Sequence, residues 1–517
     1  MKELIQLSTL DITVIVIYVV VLVAIAWWAS FSKGNKSDNL FTANKSLGWF
    51  AIGLTMWGTN VGPSMLIANA SSGYESGIVA GNFSWYAFPF ILLLAFVFAP
   101  RYLGANVMTL PEYMGKRFGN KTRRYLAWYT IITILISWLG LTLFSGGVFM
   151  SQILAIPLSS SIIILVIISA AFVIAGGLKA IAYTNVFQML LLIGVSVLLV
   201  VMAIFKVGGI SEIVHSTPAS YWNMFQPLSD PNFPWLAIVI GYPIMGVWFW
   251  CTDQSMVQAV LGSKNLKNGQ MGANFVAWLK LIDIPLFMLP GVLAFILLPS
   301  LTNSTDAYLK LVESVFPSGL IGLVIVVMMA ALISTVGSAL NSLSAVFTMD
   351  IYIKQYQPEA TNKEITRIGR FVVLVGALLS IFLAIGITYI QGLSFFNIFQ
   401  SVLGFIAPPM SVAFLFAVLW KKTSPKAINS VLTLGTMFSI GTGILYYNNL
   451  IFNGLHFLYI SFIIFIILSI YVFGYSVLDK KTIRTGIAYT PIRIDTSVKI
   501  AWLILVLLMV GLYLFFN

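Results

Sequence analysis

Charge is scarce in this chain. Only 9% of its 517 residues are Asp, Glu, Lys or Arg, against about 25% in an ordinary soluble domain. Hydrophobic residues make up 59% and aromatics 14%. A soluble fold of this size has no interior large enough for that much apolar surface, so a bilayer is the expected solvent. Cysteine is nearly absent. The single Cys251 excludes an internal disulfide and any multi-cysteine metal site. Histidine is limited to His215 and His456, far apart in sequence, and no nucleophile–base–acid set or phosphate loop occurs, which argues against catalysis. Long polar linkers, low-complexity tracts and tandem repeats of 20–50 residues are also missing.

What is present is a succession of apolar runs. A span needs about 20 such residues, and fourteen segments qualify. The first seven are Asp11–Phe31, Leu47–Gly73, Gly77–Ala99, Arg124–Ile153, Pro157–Leu178, Ala180–Lys206 and Pro234–Leu261. The others are Gly269–Pro299, Tyr308–Ile353, Ile368–Ile387, Leu393–Trp420, Ala427–Tyr447, Leu455–Tyr475 and Val498–Phe516. The first lacks a basic leader and a small-residue cleavage site, so it reads as a retained helix. The ninth is too long for one span and is expected to continue into the cytoplasm or to break near Pro317–Gly319.

The net charge of +12 would suggest nucleic acid in a soluble protein. Here the basic residues sit between apolar runs and report topology. With the N-terminus outside, 24 of the 28 Lys and Arg fall in cytoplasmic connections, among them Lys33, Lys36, Arg117, Arg123, Lys421, Lys480, Lys481, Arg484 and Arg493. Lys2, Lys206 and Lys310 lie at outer margins, and Lys280 lies inside a span. Fourteen spans with both termini outside follow from this asymmetry.

Several residues inside the spans require a reason. The second span contains Trp57-Gly-Thr-Asn-Val-Gly-Pro-Ser64, where Gly and Pro break the helix beside the polar Thr59, Asn60 and Ser64. A break at membrane depth survives only where the freed backbone faces protein or a water-filled cavity, and there it can bind an ion or a solute. A plain kink is the alternative. The eleventh span holds Gly404-Phe-Ile-Ala-Pro-Pro409, expected as a second break, with Gln400 one turn earlier; a kinked helix with a structural Gln is the alternative. In the ninth span Ser334 and Thr335 are adjacent hydroxyls, followed by Ser338, Asn341, Ser342 and Ser344. Small residues and hydroxyls serve helix packing, but the Ser334/Thr335 pair with carbonyls from a broken helix would also suit a hard cation such as Na+. Lys280 lies mid-span with Asp283 at i+3, on one helical face. Either the two neutralise each other or Lys280 contacts a solute. Gly73, Gly77 and Gly81 are spaced for close helix packing. Trp248-Phe249-Trp250 could stack on a ring or gate a path, and as an aromatic cluster could equally anchor at the interface.

Taken together these stretches resemble the sodium/solute symporters of the sodium–glucose cotransporter type, over nearly the whole chain. The resemblance rests on Thr109-Leu-Pro-Glu-Tyr with Arg117-Phe-Gly, Gly176-Gly-Leu-Lys-Ala with Tyr183-Thr, and Trp250-Cys-Thr-Asp-Gln with Gln258. It also rests on Leu279-Lys-Leu, Phe347-Thr-Met-Asp-Ile-Tyr with Gly369-Arg, and Gln400-Ser with Pro408-Pro. It implies an all-α, leucine-transporter-type fold of two five-helix inverted repeats. Residues 1–46 would hold the preceding helix, 47–206 the first repeat, 207–233 an extracellular loop, 234–420 the second repeat and 421–517 three further helices.

The resemblance also implies site residues. Gly58, Val61 and Ala331, through carbonyls, and Ser334 and Thr335, through hydroxyls, would bind the coupling Na+. A second sodium site of some members meets Asn185 in place of an acid and Gly337 in place of a hydroxyl, which implies one Na+ per solute. Asn60, Trp250, Lys280 and Gln400 match sugar-site positions. The gate tyrosine is Phe249, a polar Gln or His position is Met65, the sugar-binding Glu position is Ser84, and a further polar contact is Gly246. Fewer hydrogen-bond partners imply a neutral sugar or polyol, including acetylated or deoxy ones. No mid-span Arg is evident to clamp a carboxylate. The expected mechanism is alternating access driven by Na+, in the bilayer of a bacterial inner membrane, without nucleic acid or an evident protein partner. A non-sugar solute, such as an acidic sugar or vitamin, and a substrate-gated sensor or channel are the rival readings.

Overall fold

The structure is a computed structural model that describes residues 8–31, 41–154, 156–317, 319–387, 395–479 and 494–517. Lys33, Lys36, Lys480, Lys481, Arg484 and Arg493 lie outside the described residues, as do the side chains of Ser64 and Gln400. Among the described residues the chain is helical, with two isolated bridges, Leu47 to Ser263 and Gln226 to Pro234, and no strand. Among the described residues, ten helices are long and apolar enough to cross a membrane. Three shorter apolar helical stretches, Thr9–Ile25, Leu158–Ile174 and Leu403–Leu419, stand beside them. The second expected span is split into Trp49–Asn60 and Pro63–Ser76.

That split has a local cause. Val61 is extended (φ −87°, ψ 92°), and Pro63 starts the next helix, where its missing N–H is no loss. The seventh span breaks at Asp253 (φ −80°, ψ 128°), after a wide π-helical turn over Trp248–Thr252. Asp253 then caps the helix Gln254–Leu261, its Oδ1 accepting from the N–H of Ser255 at 2.8 Å and of Met256 at 3.2 Å. The ninth segment breaks where expected, between Ala307–Val315 and Leu320–Val346. The fifth and sixth are joined with no loop: the helix Leu158–Val207 turns a single corner at Gly177 (φ 54°, ψ −146°), a conformation suited to glycine.

The eleventh span corrects the sequence reading. Phe395–Leu419 runs as one helix with Pro408 and Pro409 inside it. Each proline lacks the N–H that would bond the carbonyl four residues back, here Gly404 and Phe405. Neighbouring helices supply the missing donors: Ser461 Oγ donates to Gly404 O at 2.8 Å and Ser439 Oγ to Phe405 O at 2.5 Å. Tyr129 Oη donates to Ile406 O at 2.8 Å. The unwinding expected from two prolines is thereby averted. Replacing Ser439 and Ser461 together by Ala should lower stability by about 1–3 kcal/mol for each orphaned carbonyl. A thermal denaturation midpoint equal to that of the parent would remove this explanation.

Close helix contact is set by glycine at one crossing above all. A Cβ on Gly291 would sit 1.9 Å from Ala70 O, and one on Gly73 would sit 2.2 Å from Met288 O. Pro63–Ser76 and Leu289–Leu297 therefore touch backbone to backbone. Gly291→Ala should separate them and reduce folded yield severely; a normally folded variant of unchanged stability would contradict the contact.

Polar side chains tie helix ends together at both ends of the bundle. At one end Asp11 Oδ1 accepts from the N–H of Gly319 (2.9 Å) and Gly322 (2.6 Å), and Lys206 donates to Ser314 O. At the other end Arg123 pairs with Asp350 at 2.6 Å, and Lys267 with Asp495 at 3.0 Å. There Arg117 also donates to the carbonyls of Ala417, Trp420 and Lys421, which close the helix Phe395–Leu419.

Candidate functional site

The break at Val61–Gly62 opens onto a cavity of about 150 Å³, room for several waters or one small solute. One wall comes from the broken helix: Asn60, Gly62, Met65, Ala68 and Asn69. Ala80, Phe83 and Ser84 form another, Trp138 and Thr142 a third. Tyr242, Met245, Trp248, Phe249 and Trp250 line the face before the second break, with Lys280, Thr335 and Leu403 completing the lining.

Lys280 is the one cationic side chain among these described lining residues, and it is 2% exposed. Its Nζ donates to Asn60 Oδ1 at 2.8 Å and forms a short ion pair with Asp283, which is 1% exposed. It lies 5.9 Å above the Trp250 ring. Asp283 does not line the cavity. Its Oδ1 accepts from Trp57 Nε1 at 2.9 Å and its Oδ2 from Ser84 Oγ at 2.9 Å, as well as from Lys280. The pair is internal, and Lys280 is also one of the residues lining the cavity. The Ser84 position carries no acid, yet its hydroxyl touches one on the neighbouring helix.

The aromatic run after Val247 is not an interfacial anchor. Trp248 and Trp250 are buried, and Phe249 is half-buried against Trp138, ring centroids 5.4 Å apart. Trp138 Nε1 donates to Asp253 Oδ2 at 3.0 Å, tying the fourth span to the second break. Met65 and Ser84 reach the cavity as the resemblance implies. Gly246 does not; a Cβ there would meet the Phe90 ring at 2.3 Å, so it faces helix packing. The side chain of Gln400 lies outside the described residues.

Residues that the sequence reading passed over include Asn69, Thr142, Trp138, Tyr242 and Met245. Asn69 was accessible to reasoning, since it lies one turn after Met65 on the same face of the helix. Its amide nitrogen has no partner among the described residues. Trp138 carries no sequence signal that separates it from other apolar aromatics in its span.

Beside the cavity lies the second cluster. Thr335 Oγ1 is 3.0 Å from Ala331 O and 3.4 Å from Gly58 O. Ser334 Oγ is buried with no partner among the described residues. A Cβ on Gly58 would sit 2.9 Å from Ser334 Oγ, so the bare glycine lets that hydroxyl approach the end of the broken helix. Thr59 Oγ1 donates to Thr55 O at 2.8 Å and lies within hydrogen-bonding distance of Ser338 Oγ at 2.9 Å, which ties the same two helices together. Helix C-terminal carbonyls carry partial negative charge. Carbonyls and neutral hydroxyls with an orphaned oxygen among them fit a small hard cation. Asn185, where an acid is absent, is buried with both amide atoms unpartnered among the described residues. At Gly337 an added Cβ would meet nothing closer than 3.9 Å, so the missing hydroxyl is not a matter of space.

A largely apolar cavity with a few polar groups, set at a helix break beside hydroxyls of a partner helix, is transporter architecture. The profile of the sodium:solute symporter family matches residues 40–435. The chain belongs to that family. This symporter is 32% identical to sodium/glucose cotransporter 1 of Ovis aries over 91% of its own length and 79% of the relative's. It is 30% identical to the sodium/mannose cotransporter of Bos taurus, over 81% of its own length and 76% of the relative's. A Na+-coupled sialic acid symporter in a substrate-bound outward-open state superposes with a TM-score of 0.79 at 20% identity, covering 92% of this chain and 98% of that one. The leucine-transporter-type fold is thereby established, as is the class: a multi-pass membrane transporter coupled to Na+, not an enzyme.

Proposed function

We propose that this symporter imports a neutral sugar or polyol, acetylated and deoxy forms included, with one Na+ per solute, across a bacterial inner membrane. The observation that supports the solute reading most directly is the cavity lining itself. It offers a ring face at Trp250, hydrogen-bonding groups at Asn60, Ser84, Asn69, Thr142 and Lys280, and apolar surface at Met65, Met245 and Phe249. That mixture suits a small ring with hydroxyls on its edges and C–H groups on its faces. The curated relatives named for glucose and mannose support the same class.

In this reading Na+ binds at Gly58, Val61, Ala331, Ser334 and Thr335 and favours the outward-facing form by its differential affinity. The solute then meets Asn60, Lys280 and Gln400 with Trp250 as platform, while Phe249 closes the inner path. The proposed repeats, 47–206 and 234–420, rock against each other. One positive charge moving inward releases about 2.3 kcal/mol per 100 mV of membrane potential.

The test is uptake of labelled neutral sugars, polyols, acidic sugars and vitamins into proteoliposomes with and without an inward Na+ gradient. Gradient-driven accumulation of a neutral sugar or polyol is the expected result. Accumulation of an acidic sugar or vitamin alone would overturn the solute assignment and leave the Na+ coupling in place.

A further inference from the structure

We infer that Asp283 sets the charge selectivity of this symporter: by neutralising Lys280 from behind, it makes the cavity accept uncharged solutes and refuse carboxylates. The inference rests on the reading of this cavity as the solute site.

The argument is geometric. An ammonium has three N–H donors. Lys280 directs one to Asn60 and one to Asp283, which leaves a third donor on a residue that lines the cavity. A buried lysine left alone would be a strong anion site, because a charge removed from water demands a partner. Here that partner is built in. Asp283 is held by Trp57 and Ser84 from two other helices, so it cannot swing away to leave Lys280 for an incoming anion. With all its donors in place, the carboxylate is satisfied without help from a solute. A solute carboxylate entering the cavity would have to shed its own water and then compete with Asp283 for one ammonium, and the second carboxylate would lie uncompensated. A hydroxyl, carbonyl or ring oxygen carries no such penalty: it takes the third Lys280 donor and leaves the ion pair intact.

Asp283 is thus a positioning residue that acts through Lys280. Its replacement by Asn preserves shape and keeps an oxygen for Trp57 or Ser84, but it removes the negative charge. The cavity then holds an uncompensated ammonium, and the best remaining partner is an anion brought by the solute.

The experiment compares matched neutral and acidic pairs in proteoliposomes: glucose with glucuronate, galactose with galacturonate, and pantothenol with pantothenate. Wild type is expected to prefer the neutral member of whichever pair it transports by at least tenfold. Asp283→Asn is expected to reverse that preference, and Asp283→Glu to restore it. Thermal shift of purified Asp283→Asn with each member of a pair is expected to show stabilisation by the acidic one, which keeps the inference testable where the variant binds but does not transport. A merely structural role for Asp283 would lower uptake of both members alike and leave their ratio unchanged, which would overturn the inference. Wild-type preference for the acidic member of any pair would overturn it too. Transport confined to the pantothenol pair would instead sink the sugar assignment while leaving the charge rule to be read from that pair.

Discussion

Replacing Thr335 by Ala should raise the Na+ concentration needed for half-maximal uptake by roughly ten- to a hundredfold. The size follows from the interaction removed. Hydrogen-bond-strength contacts to a charged group contribute about 1.5–3 kcal/mol, and each 1.4 kcal/mol is about tenfold in affinity. Thr335 Oγ1 stands between Ala331 O and Gly58 O, so its loss opens the middle of the proposed oxygen cluster. Thr335→Ser keeps the hydroxyl and should remain near wild type, whereas Thr335→Val keeps the shape and should behave like Ala. A sodium titration of uptake that is unchanged in the Ala variant would remove Thr335 from the cation site. Because Thr335 also lines the cavity, the solute affinity of each variant must be measured at saturating Na+ to separate the two effects.

Lys280→Met should abolish uptake within the limits of a standard assay, a loss of about a hundredfold or more. Two effects combine. The cavity loses its strongest donor, and Asp283 becomes a buried carboxylate without its counter-charge, which typically destabilises by about 3–5 kcal/mol. The two are separable. Adding Asp283→Leu to Lys280→Met removes the orphaned charge and should recover much of the thermal stability in detergent, although Trp57 and Ser84 then lose an acceptor. Uptake should not recover. If the double variant regains transport, Lys280 acts only as the counter-ion of Asp283 and not as a solute contact.

The sequence made some of these features legible and hid others for physical reasons. Trp57 to Ser64 announces its break because Gly and Pro act on their own backbone, and the consequence is local. The same reasoning failed at Pro408 and Pro409. Their effect is decided by Ser439 and Ser461, which lie on other helices and cannot be paired with Gly404 and Phe405 from the sequence alone. The Lys280–Asp283 pair was legible from its i, i+3 spacing. Which side of it faces the cavity was not, since that depends on Trp57 and Ser84 arriving from two further helices. Gly246 was placed near a solute by resemblance, whereas its lack of a side chain serves the close approach of Phe90. Among the described residues, ten helices are long and apolar enough to cross a membrane, and breaks, corners and short apolar stretches divide other segments that read as continuous runs.

The serine–proline pairing has a consequence for biogenesis. The helix Phe395–Leu419 leaves two carbonyls without donors until Ser439 and Ser461 arrive, and both are translated after it. Hydrocarbon offers no substitute donor. That helix gains these two donors only once the two helices that follow are inserted. The segments Thr436–Tyr447 and Phe457–Leu478, both beyond the family profile that ends at residue 435, are in this sense assembly partners rather than appendages. A nascent chain stalled before Ser439 should expose the proline-containing helix to crosslinking by the insertion machinery, and one extended past Phe457–Leu478 should not.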